Sequence, residues 1–350
     1  MGAGHRIVSM DRDTLHRSYV GVDGTRTTRV KYSPLDYLGS AAGVRAQAIL
    51  PLTWFTLVIS IVVCVIIAVL LWVAVRRARP QDNSLEMRSI PLQRGDDGIR
   101  WISIGLMISA VPLAATLVWT MVTLAAIAGP PAHPGLVLDV TARQWWWEVQ
   151  YNSAHPSDDF ATANEIHIPI GVPVLVRLHG GDVIHSFWVP KLSGKTDVIP
   201  GQTNLSWMQA ERPGRYLGQC SEYCGYQHAH MQFEVVAESQ ADFDKWQILQ
   251  RQPAPPPVTP EQTRGLALVE YRCGLCHRVA GTQAGAISAP DLTHVMSRRT
   301  LAAGTLPNNP GNLVGWIQNP QNIKPGNLMP NQFLSARQLS DALAYLESLK

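Results

Sequence analysis

Two stretches without a charged residue, 46–75 and 101–128, dominate the hydrophobic pattern of the chain. Each exceeds the roughly 20 apolar residues that an α-helix needs to cross the hydrocarbon core of a bilayer. Lipid offers no partner to backbone polar groups, so both stretches are predicted to be transmembrane helices. A buried core helix is the alternative, but such helices rarely run this long. The pattern therefore predicts an N-terminal helical hairpin in a membrane.

The basic residues predict the orientation of this hairpin. The connecting loop, 76–100, holds six arginines, whereas the first twenty residues after the second helix hold one, Arg143. By the positive-inside rule the loop is cytoplasmic and the chain beyond the second helix lies outside. The N-terminal extension, 1–45, would also lie outside, although it carries seven basic residues. The expected location is a bacterial inner membrane, with the later domains on the periplasmic face.

Beyond the second helix the chain consists of short segments rich in β-branched and aromatic residues, separated by Gly and Pro. This spacing is typical of an antiparallel β-sandwich. The predicted strands are 137–149, 165–169, 173–178, 183–189, 203–209 and 231–236. A helix over 239–250, with Ser239 as N-cap, closes this domain. The domain is expected to span 129–252.

A proline-rich segment, 253–260, follows the sandwich. Such a segment favours the extended polyproline II conformation and acts as a semi-rigid spacer, so it predicts a domain boundary. The remaining residues, 261–350, are expected to form a small all-α domain. Its first helix has Thr259 as N-cap and Pro260 at the first helical position. Ser335 begins a capping box before the last apolar stripe.

Overall composition excludes little, because 46% hydrophobic residues and a net charge of +3 are ordinary, and the charge gives no indication of nucleic-acid binding. The cysteines are more informative. Four of the five lie in two short motifs that are typical of redox-metal sites. The fifth, Cys64, lies within the first predicted helix and is interpreted as a small apolar residue.

The first cysteine motif reads CSEYCGYQHAHM, from Cys220 to Met231. Thiolate, imidazole and thioether donors together select copper, zinc or iron over hard cations. The thiolates of Cys220 and Cys224 can each bridge two ions, which predicts a paired-copper cluster with His228 and Met231 as local ligands. His185, at the start of a predicted strand, is expected to supply a second imidazole. A disulfide and a zinc site are the alternatives, but a thioether is a poor zinc ligand.

The second motif, CGLCH, is the signature of covalent c-type haem attachment. Cys273 and Cys276 would form the thioether bonds, and His277 would be one axial ligand. Met329, in a proline-bounded loop, is predicted as the other axial ligand, and Met296 is its rival. Methionine–histidine ligation would raise the reduction potential relative to two histidines. A thioredoxin-like cysteine pair is the alternative, but the surrounding sequence lacks a βαβ pattern.

With these motifs the chain resembles cytochrome c oxidase subunit II, followed by a fused class I cytochrome c domain. The first resemblance covers about residues 33–237 and the second about 259–350. The resemblance to subunit II also rests on the aromatic run QWWWEVQY at 144–151 and on the segments 182–190 and 195–201. The resemblance implies that the sandwich is cupredoxin-like. The whole chain would then combine a transmembrane hairpin, an all-β domain and a small all-α domain.

The resemblance also implies roles for individual residues. Trp145 matches the tryptophan through which electrons enter copper, and Pro290 is expected to accept a hydrogen bond from His277. The side chain of Glu222 matches a residue that faces a magnesium or manganese ion shared with the catalytic subunit. The implied ligands of the dinuclear CuA centre are His185, Cys220, the backbone carbonyl of Glu222, Cys224, His228 and Met231.

One departure from the family concerns proton uptake. Subunit II usually has a glutamate just before its second helix, thought to stand at the mouth of a proton channel. Gly98 occupies the aligned position here, with Asp96 and Asp97 beside it. Proton uptake through this subunit is therefore not implied by the resemblance.

The predicted function is to pass electrons from an external donor through haem c and CuA to the oxygen-reducing subunit of a haem–copper oxidase. The expected partners are catalytic subunit I, other membrane subunits, and a cytochrome or a quinol-oxidising complex as donor. Two alternatives remain open: the copper subunit of a nitric oxide reductase-like enzyme, and a stand-alone membrane-anchored electron carrier. A copper-free subunit, as in quinol oxidases, is disfavoured because every ligand position is filled.

Overall fold

Two long helices begin the part of the chain that the structure, a computed structural model, describes. The described residues are 35–77, 96–130, 132–153 and 155–350. Helix α1 spans Val44–Arg76 and helix α2 spans Asp96–Ile127. Both are apolar and long enough to cross a membrane, and their most apolar windows contain no buried residue. The predictions for residues 1–34 and for 78–95 of the connecting loop lie outside the described residues.

Both helices extend beyond the charge-free stretches of the sequence. Helix α1 begins at Val44, and a short 3₁₀ turn, Asp36–Leu38, precedes it within the predicted N-terminal extension. Helix α2 begins at Asp96, so the residues that precede position 101 are helical and not part of a loop. The charge-free criterion marks only the hydrocarbon core, whereas a helix can continue into the polar interfacial region of a bilayer.

The sandwich domain is attached to the bases of both helices. Buried Arg45, in the first turn of α1, donates to the carbonyl of Trp207 at 2.9 Å and to Ser206 Oγ at 3.2 Å. The indole of Trp207 in turn donates to the carbonyl of Ile127, at the end of α2, at 3.1 Å. The backbone amides of Ala42 and Gly43 both donate to the backbone carbonyl of Lys191. The hairpin and the sandwich are thus joined by several direct hydrogen bonds.

The sandwich consists of two five-stranded sheets. The first has the order β3-β2-β1-β5-β8, formed by Phe160–Ala163, Trp146–Tyr151, Leu136–Arg143, Val174–Gly180 and Thr203–Met208. The second has the order β4-β10-β9-β6-β7, formed by Glu165–Pro169, Gln232–Glu238, Gly214–Cys220, His185–Trp188 and Thr196–Val198. The cupredoxin-like β-sandwich expected from the sequence is confirmed.

Two details of the strand prediction were wrong. The segment 137–149 is not one strand but the hairpin β1–β2, in which Leu138 faces Tyr151. The sheets are also mixed, because β1 pairs with β5 in parallel and β4 pairs with β10 in parallel. The run of three tryptophans hid the turn, since a continuous aromatic segment reads as one buried strand. Strands β3, β7 and β9 were not predicted.

Aromatic rings fill the space between the two sheets. Trp147, fully buried, packs edge-on against Phe187 at 5.6 Å between ring centroids and contacts Phe233 at 5.2 Å. Gly218 makes room for this cluster, because a Cβ there would lie 2.2 Å from the ring of Phe233. The packed rings support one end of the sandwich, where β6 and β9 lie side by side.

The C-terminal domain is helical and has its own apolar core. It follows helix α3 (Gln240–Gln250) and contains α4 (Pro260–Leu268), α5 (Pro310–Gln318), α6 (Pro320–Ile323) and α7 (Ala336–Leu346). A small ribbon of β11 (Thr300–Leu301) and β12 (Leu306–Pro307) adds the only two described strands of this domain. Helices α4 and α7 cross closely at Gly265, where a Cβ would lie 2.0 Å from the Asp341 carbonyl oxygen.

The helix starts agree with the capping residues of the sequence. Ser239 accepts a hydrogen bond from the Asp242 amide, and Ser335 forms a complete capping box with Gln338. Thr259 also accepts from the Gln262 amide, but the Gln262 side chain accepts from Val258 instead of from Thr259. Such side chains satisfy amides that lack partners within the helix.

Candidate metal and haem sites

The predicted copper ligands converge at one end of the sandwich. His185, Cys220 and Cys224 place their ligand atoms within 4.8 Å of one another. The two sulfur atoms are 3.8 Å apart, far beyond the roughly 2.05 Å of a disulfide, and both cysteines are free. The disulfide alternative is therefore excluded by the geometry. His185 Nδ1 lies 3.8 Å from Cys220 Sγ.

The other predicted ligands complete the shell around these cysteines. His228 Nδ1 lies 3.6 Å from Cys224 Sγ, and Met231 Sδ lies 3.8 Å from the same sulfur. The backbone carbonyl oxygen of Glu222 lies 3.2 Å from Cys220 Sγ, while the Glu222 side chain is exposed. Two thiols, two imidazoles, a thioether and a carbonyl thus surround one small volume. This donor set fits soft and borderline metals such as copper.

Strand pairing explains why residues so far apart in sequence meet. Strand β6 begins at His185 and strand β9 ends at Cys220, and the two strands pair in antiparallel register. The loop that carries Cys224 and His228 then returns to β10, and the Cys220 amide donates to the Met231 carbonyl at 3.1 Å. The sheet therefore fixes both ends of the loop.

Asp182 orients the imidazole of His185 and was not singled out from the sequence. Its carboxylate accepts a hydrogen bond from His185 Nε2 at 2.7 Å and from the Gln144 amide at 2.6 Å. Burial favours the neutral carboxyl, but these hydrogen bonds outweigh it and lower the pKa of Asp182. An imidazole that donates through Nε2 leaves Nδ1 free for a metal, an arrangement that recurs around histidine ligands. The signal was available, because Asp182 lies only three residues before His185.

The two thiols cannot both ionise easily while they face one another. A hydrogen bond from Cys224 lowers the pKa of Cys220 to about 3, and the same contact raises the pKa of Cys224. A cation held between the sulfurs would remove this conflict, because metal coordination deprotonates thiols. The chemistry of the pair thus fits a bound metal.

Trp145 and Gln144 lie against the loop from Cys220 to Met231, which we call the copper loop. The Trp145 indole donates to the Cys224 carbonyl at 2.9 Å, and the Gln144 side chain donates to the same oxygen at 2.6 Å. Trp145 is only 8% exposed. The tryptophan that the family resemblance marked for electron transfer is therefore in direct contact with Cys224, a predicted copper ligand.

The haem motif lies at the end of the first helix of the C-terminal domain. Helix α4 continues into a π-helical turn, Val269–Cys273, and the amides of Cys276 and His277 both donate to the Cys273 carbonyl. His277 Nδ1 lies 2.6 Å from the Pro290 carbonyl oxygen. A carbonyl can only accept, so Nδ1 carries the proton and Nε2 is free to bind iron. Burial lowers the pKa of His277 and keeps its ring neutral, as ligation requires.

The two candidate methionines have different surroundings. Met296 packs against the apolar core of the C-terminal domain. Met329 lies in a loop held by hydrogen bonds, because its amide donates to Asn327 Oδ1 at 2.8 Å and its carbonyl accepts from Gln321 at 2.9 Å. A loop held in place supports a ligand role for Met329. Packing against the apolar core gives Met296 a structural role instead.

Arg298 is a second residue that sequence reasoning missed. It is buried, it donates to the Asp291 carbonyl at 2.6 Å, and its Nε has no hydrogen-bond partner among the described residues. Its charge also acts on His277, lowering the pKa of that ring. A buried guanidinium with a free donor beside the haem motif fits a haem propionate. No short motif surrounds Arg298, so it could not be recognised from the sequence.

The fold and these sites define a class of protein: two candidate membrane helices, a cupredoxin-like domain with a cluster of sulfur and imidazole side chains, and a helical C-terminal domain with a haem-attachment motif. The family model described as the periplasmic domain of cytochrome c oxidase subunit II matches residues 136–239. The model described as cytochrome c matches residues 262–350. The chain belongs to the cytochrome c oxidase subunit II family.

Two relatives agree with this assignment, and one solved structure is similar to part of the chain. The chain is 34% identical to cytochrome c oxidase subunit 2 of Alkalihalophilus pseudofirmus over 298 residues, which cover 83% of each chain. It is 33% identical to the corresponding subunit of Bacillus sp. strain PS3 over 227 residues, 61% of this chain and 62% of that protein. The crystal structure of the periplasmic domain of subunit II from Bradyrhizobium japonicum is 29% identical, covers 34% of this chain and 95% of that chain, and has a TM-score of 0.32.

Family membership settles the coarse function. The chain is subunit II of a haem–copper oxidase, an oxidoreductase subunit that has a catalytic subunit as partner. Its two matched domains indicate CuA copper and haem c as cofactors. The two apolar helices agree with the membrane anchorage of this family.

Proposed function

We propose that this subunit passes electrons from an external donor through haem c and a dinuclear CuA centre to the catalytic subunit, which reduces oxygen to water. The observation that carries the proposal is the convergence of His185, Cys220 and Cys224 within 4.8 Å. Copper and haem would supply reversible one-electron chemistry. The protein would supply ligands held by β6 and β9, so that little rearrangement accompanies each electron.

The proposed copper ligands are the six that the family resemblance implied. They are His185, Cys220, the Glu222 carbonyl, Cys224, His228 and Met231. Asp182 would hold the first imidazole in place. The exposed carboxylate of Glu222 would face a magnesium or manganese ion at the boundary with the catalytic subunit. Trp145 would carry electrons towards the copper loop, which its contact with the Cys224 carbonyl supports.

The proposed haem site consists of Cys273, Cys276, His277 and Met329, with Pro290 as the hydrogen-bond partner of the histidine. We further propose that residues 129–252 and 261–350 are separate domains on the periplasmic side of the membrane, joined by the segment 253–260. Their separate apolar cores support this division.

Purification of the intact complex tests the proposed function. We expect two coppers and one covalent haem per chain, a co-purifying catalytic subunit, and oxygen consumption when haem c is reduced. Stopped-flow reduction should show haem c reduced first and copper second. A chain that purifies alone and still exchanges electrons would favour a stand-alone carrier, and nitric oxide turnover without oxygen turnover would favour the reductase alternative.

Replacing Met329 with leucine should identify the sixth haem ligand. Loss of a thioether ligand should lower the midpoint potential of haem c by about 0.1 V or more, well within the roughly 0.8 V range that axial ligands span. Met296→Leu is the matched control and should leave the potential within a few tens of millivolts of the parent. A spectroelectrochemical titration measures both. The opposite pattern would assign the ligand to Met296.

A further inference from the structure

A buried lysine joins the cytochrome domain to the copper domain. Lys324 follows helix α6, is 2% exposed, and extends its side chain into the neighbouring domain. Its Nζ donates to the backbone carbonyls of Trp145 at 2.8 Å and His230 at 2.7 Å. A third hydrogen bond, to the Ala302 carbonyl at 3.1 Å, remains within the cytochrome domain. All three donors of the ammonium group are therefore used.

This arrangement is unusual for a charged group. No carboxylate lies within ion-pair distance of Lys324 among the residues that the structure describes, so the carbonyl dipoles compensate the charge together with the nearby Cys224 sulfur. Burial of an ammonium group is costly unless it is paired or fully hydrogen-bonded. That cost lowers the pKa of Lys324 to about 7. The side chain can stay in this position only while both domains supply their carbonyls.

Other contacts strengthen the same junction. The Gln227 side chain donates to the Pro325 carbonyl at 2.7 Å and accepts from His230 through its Oε1. The Gln232 amide, at the start of β10, donates to the Ala303 carbonyl at 3.0 Å. The backbones approach closely here, because a Cβ on Gly304 would lie 2.8 Å from Cβ of Gln232. The junction therefore adjoins the copper loop itself.

The turn between β11 and β12 is shaped to present these carbonyls. Ala302, Ala303 and Gly304 all have left-handed backbones, with φ of 54°, 57° and 81°. Alanine rarely adopts this conformation, and the surrounding contacts must hold it. The Ala302 carbonyl accepts from both Lys324 and Thr305, and the adjacent carbonyl accepts from Gln232. Strain at this position accompanies the contact between the domains.

We propose that Lys324 is a positioning residue that locks the cytochrome domain onto the backbone of Trp145, so that the loop bearing Met329 and the copper loop keep one fixed arrangement. The inference rests on the proposed function, because Trp145 and Met329 matter only if electrons pass between the two sites. The start of the spacer 253–260 is held on the cytochrome domain, where the Ala254 amide donates to the Ala280 carbonyl at 2.8 Å, and Arg299 pairs with Glu234 of the copper domain at 3.0 Å, so both also contribute to the orientation of the domains. Lys324 would fix that orientation next to the copper loop, since it contacts the backbone on both sides of the junction there.

The test replaces Lys324 with methionine in the intact, metal-loaded complex. Hydrogen–deuterium exchange of the Gln232 amide, whose acceptor Ala303 belongs to the other domain, should become about tenfold faster or more, which corresponds to about 1.4 kcal/mol of lost protection. Exchange in β1 should not change. The rate of electron transfer from photoreduced haem c to copper should fall by at least a similar factor, while the copper and haem contents stay normal.

Two further variants make the test decisive. Lys245→Met removes the same charge from an exposed lysine on α3, 75% exposed at its side chain, and should change neither measurement. Gln227→Leu removes the hydrogen bond to the Pro325 carbonyl, a different bond across the junction, and should also accelerate exchange of the Gln232 amide. This variant tests the locking role if the Lys324 variant fails to load metal.

The outcomes separate the two levels of the proposal. Unchanged exchange at Gln232 in both junction variants would overturn the locking role. Faster exchange with an unchanged transfer rate would overturn the link between locking and electron transfer. An absence of haem-to-copper transfer in the parent complex would instead overturn the proposed function, while the exchange result would still report on the junction.

Discussion

Replacing Cys220 with serine should abolish the paired-copper site. A serine hydroxyl does not ionise near neutral pH, so it cannot replace the thiolate that lies 3.8 Å from both Cys224 Sγ and His185 Nδ1. Changes to residues that merely orient ligands cost about 10- to 100-fold in metal affinity, and loss of a bridging ligand should cost more. Metal analysis should therefore find less than half of the parent copper content, and the spectrum of a mixed-valence copper pair should disappear.

Cys64→Ser is the matched control for this variant. It makes the same chemical change in helix α1, where Cys64 is exposed. We expect its copper content and spectrum to equal those of the parent. If Cys220→Ser retained a full complement of paired copper, the assignment of the metal centre to this loop would be wrong.

Replacing Cys273 and Cys276 together with alanine should remove covalently bound haem completely. No other pair of cysteines in the chain has the spacing of this motif, and thioether bonds alone keep haem on the chain after denaturation. The measurement is haem staining of the denatured subunit on a gel, together with the optical spectrum of the native protein. Oxygen consumption driven through haem c should fall to background.

The two cysteine variants control one another. The sandwich and the cytochrome domain have separate apolar cores, so loss of one metal group should leave the other domain folded. The Cys220 variant should keep its haem stain, and the Cys273/Cys276 variant should keep its copper. Loss of copper in the haem-free variant would show that the two sites depend on one another for assembly.

The short motifs could be predicted from the sequence because they are local. The cysteine motifs and the helix caps each lie within twelve residues, and the structure keeps those residues near one another. The β1–β2 hairpin was not predicted, although its buried residues are even-numbered up to Ala142 and odd-numbered from Trp147. When the buried positions change from even to odd numbers, the alternation of buried and exposed residues has restarted, which indicates a turn between two strands.

The contacts that join the parts of the molecule could not be predicted in this way. Lys324 and Trp145 are 179 positions apart, and nothing in the residues around either one indicates the other. Arg298 is likewise an ordinary charged residue until the fold places it near the histidine of the haem motif. Such residues act through long-range burial and hydrogen bonding, which a pattern of hydrophobic and polar positions does not encode.

The hydrogen bonds at the base of the sandwich have a consequence for the surrounding lipid. Arg45, Gly43 and Trp207 tie the sandwich to the ends of both membrane helices. Transmembrane helices change their tilt when bilayer thickness changes. Because these hydrogen bonds attach the sandwich directly to the helix ends, a thicker or thinner bilayer would tilt the sandwich with the helices, and lipid composition would thereby alter its height and angle above the surface.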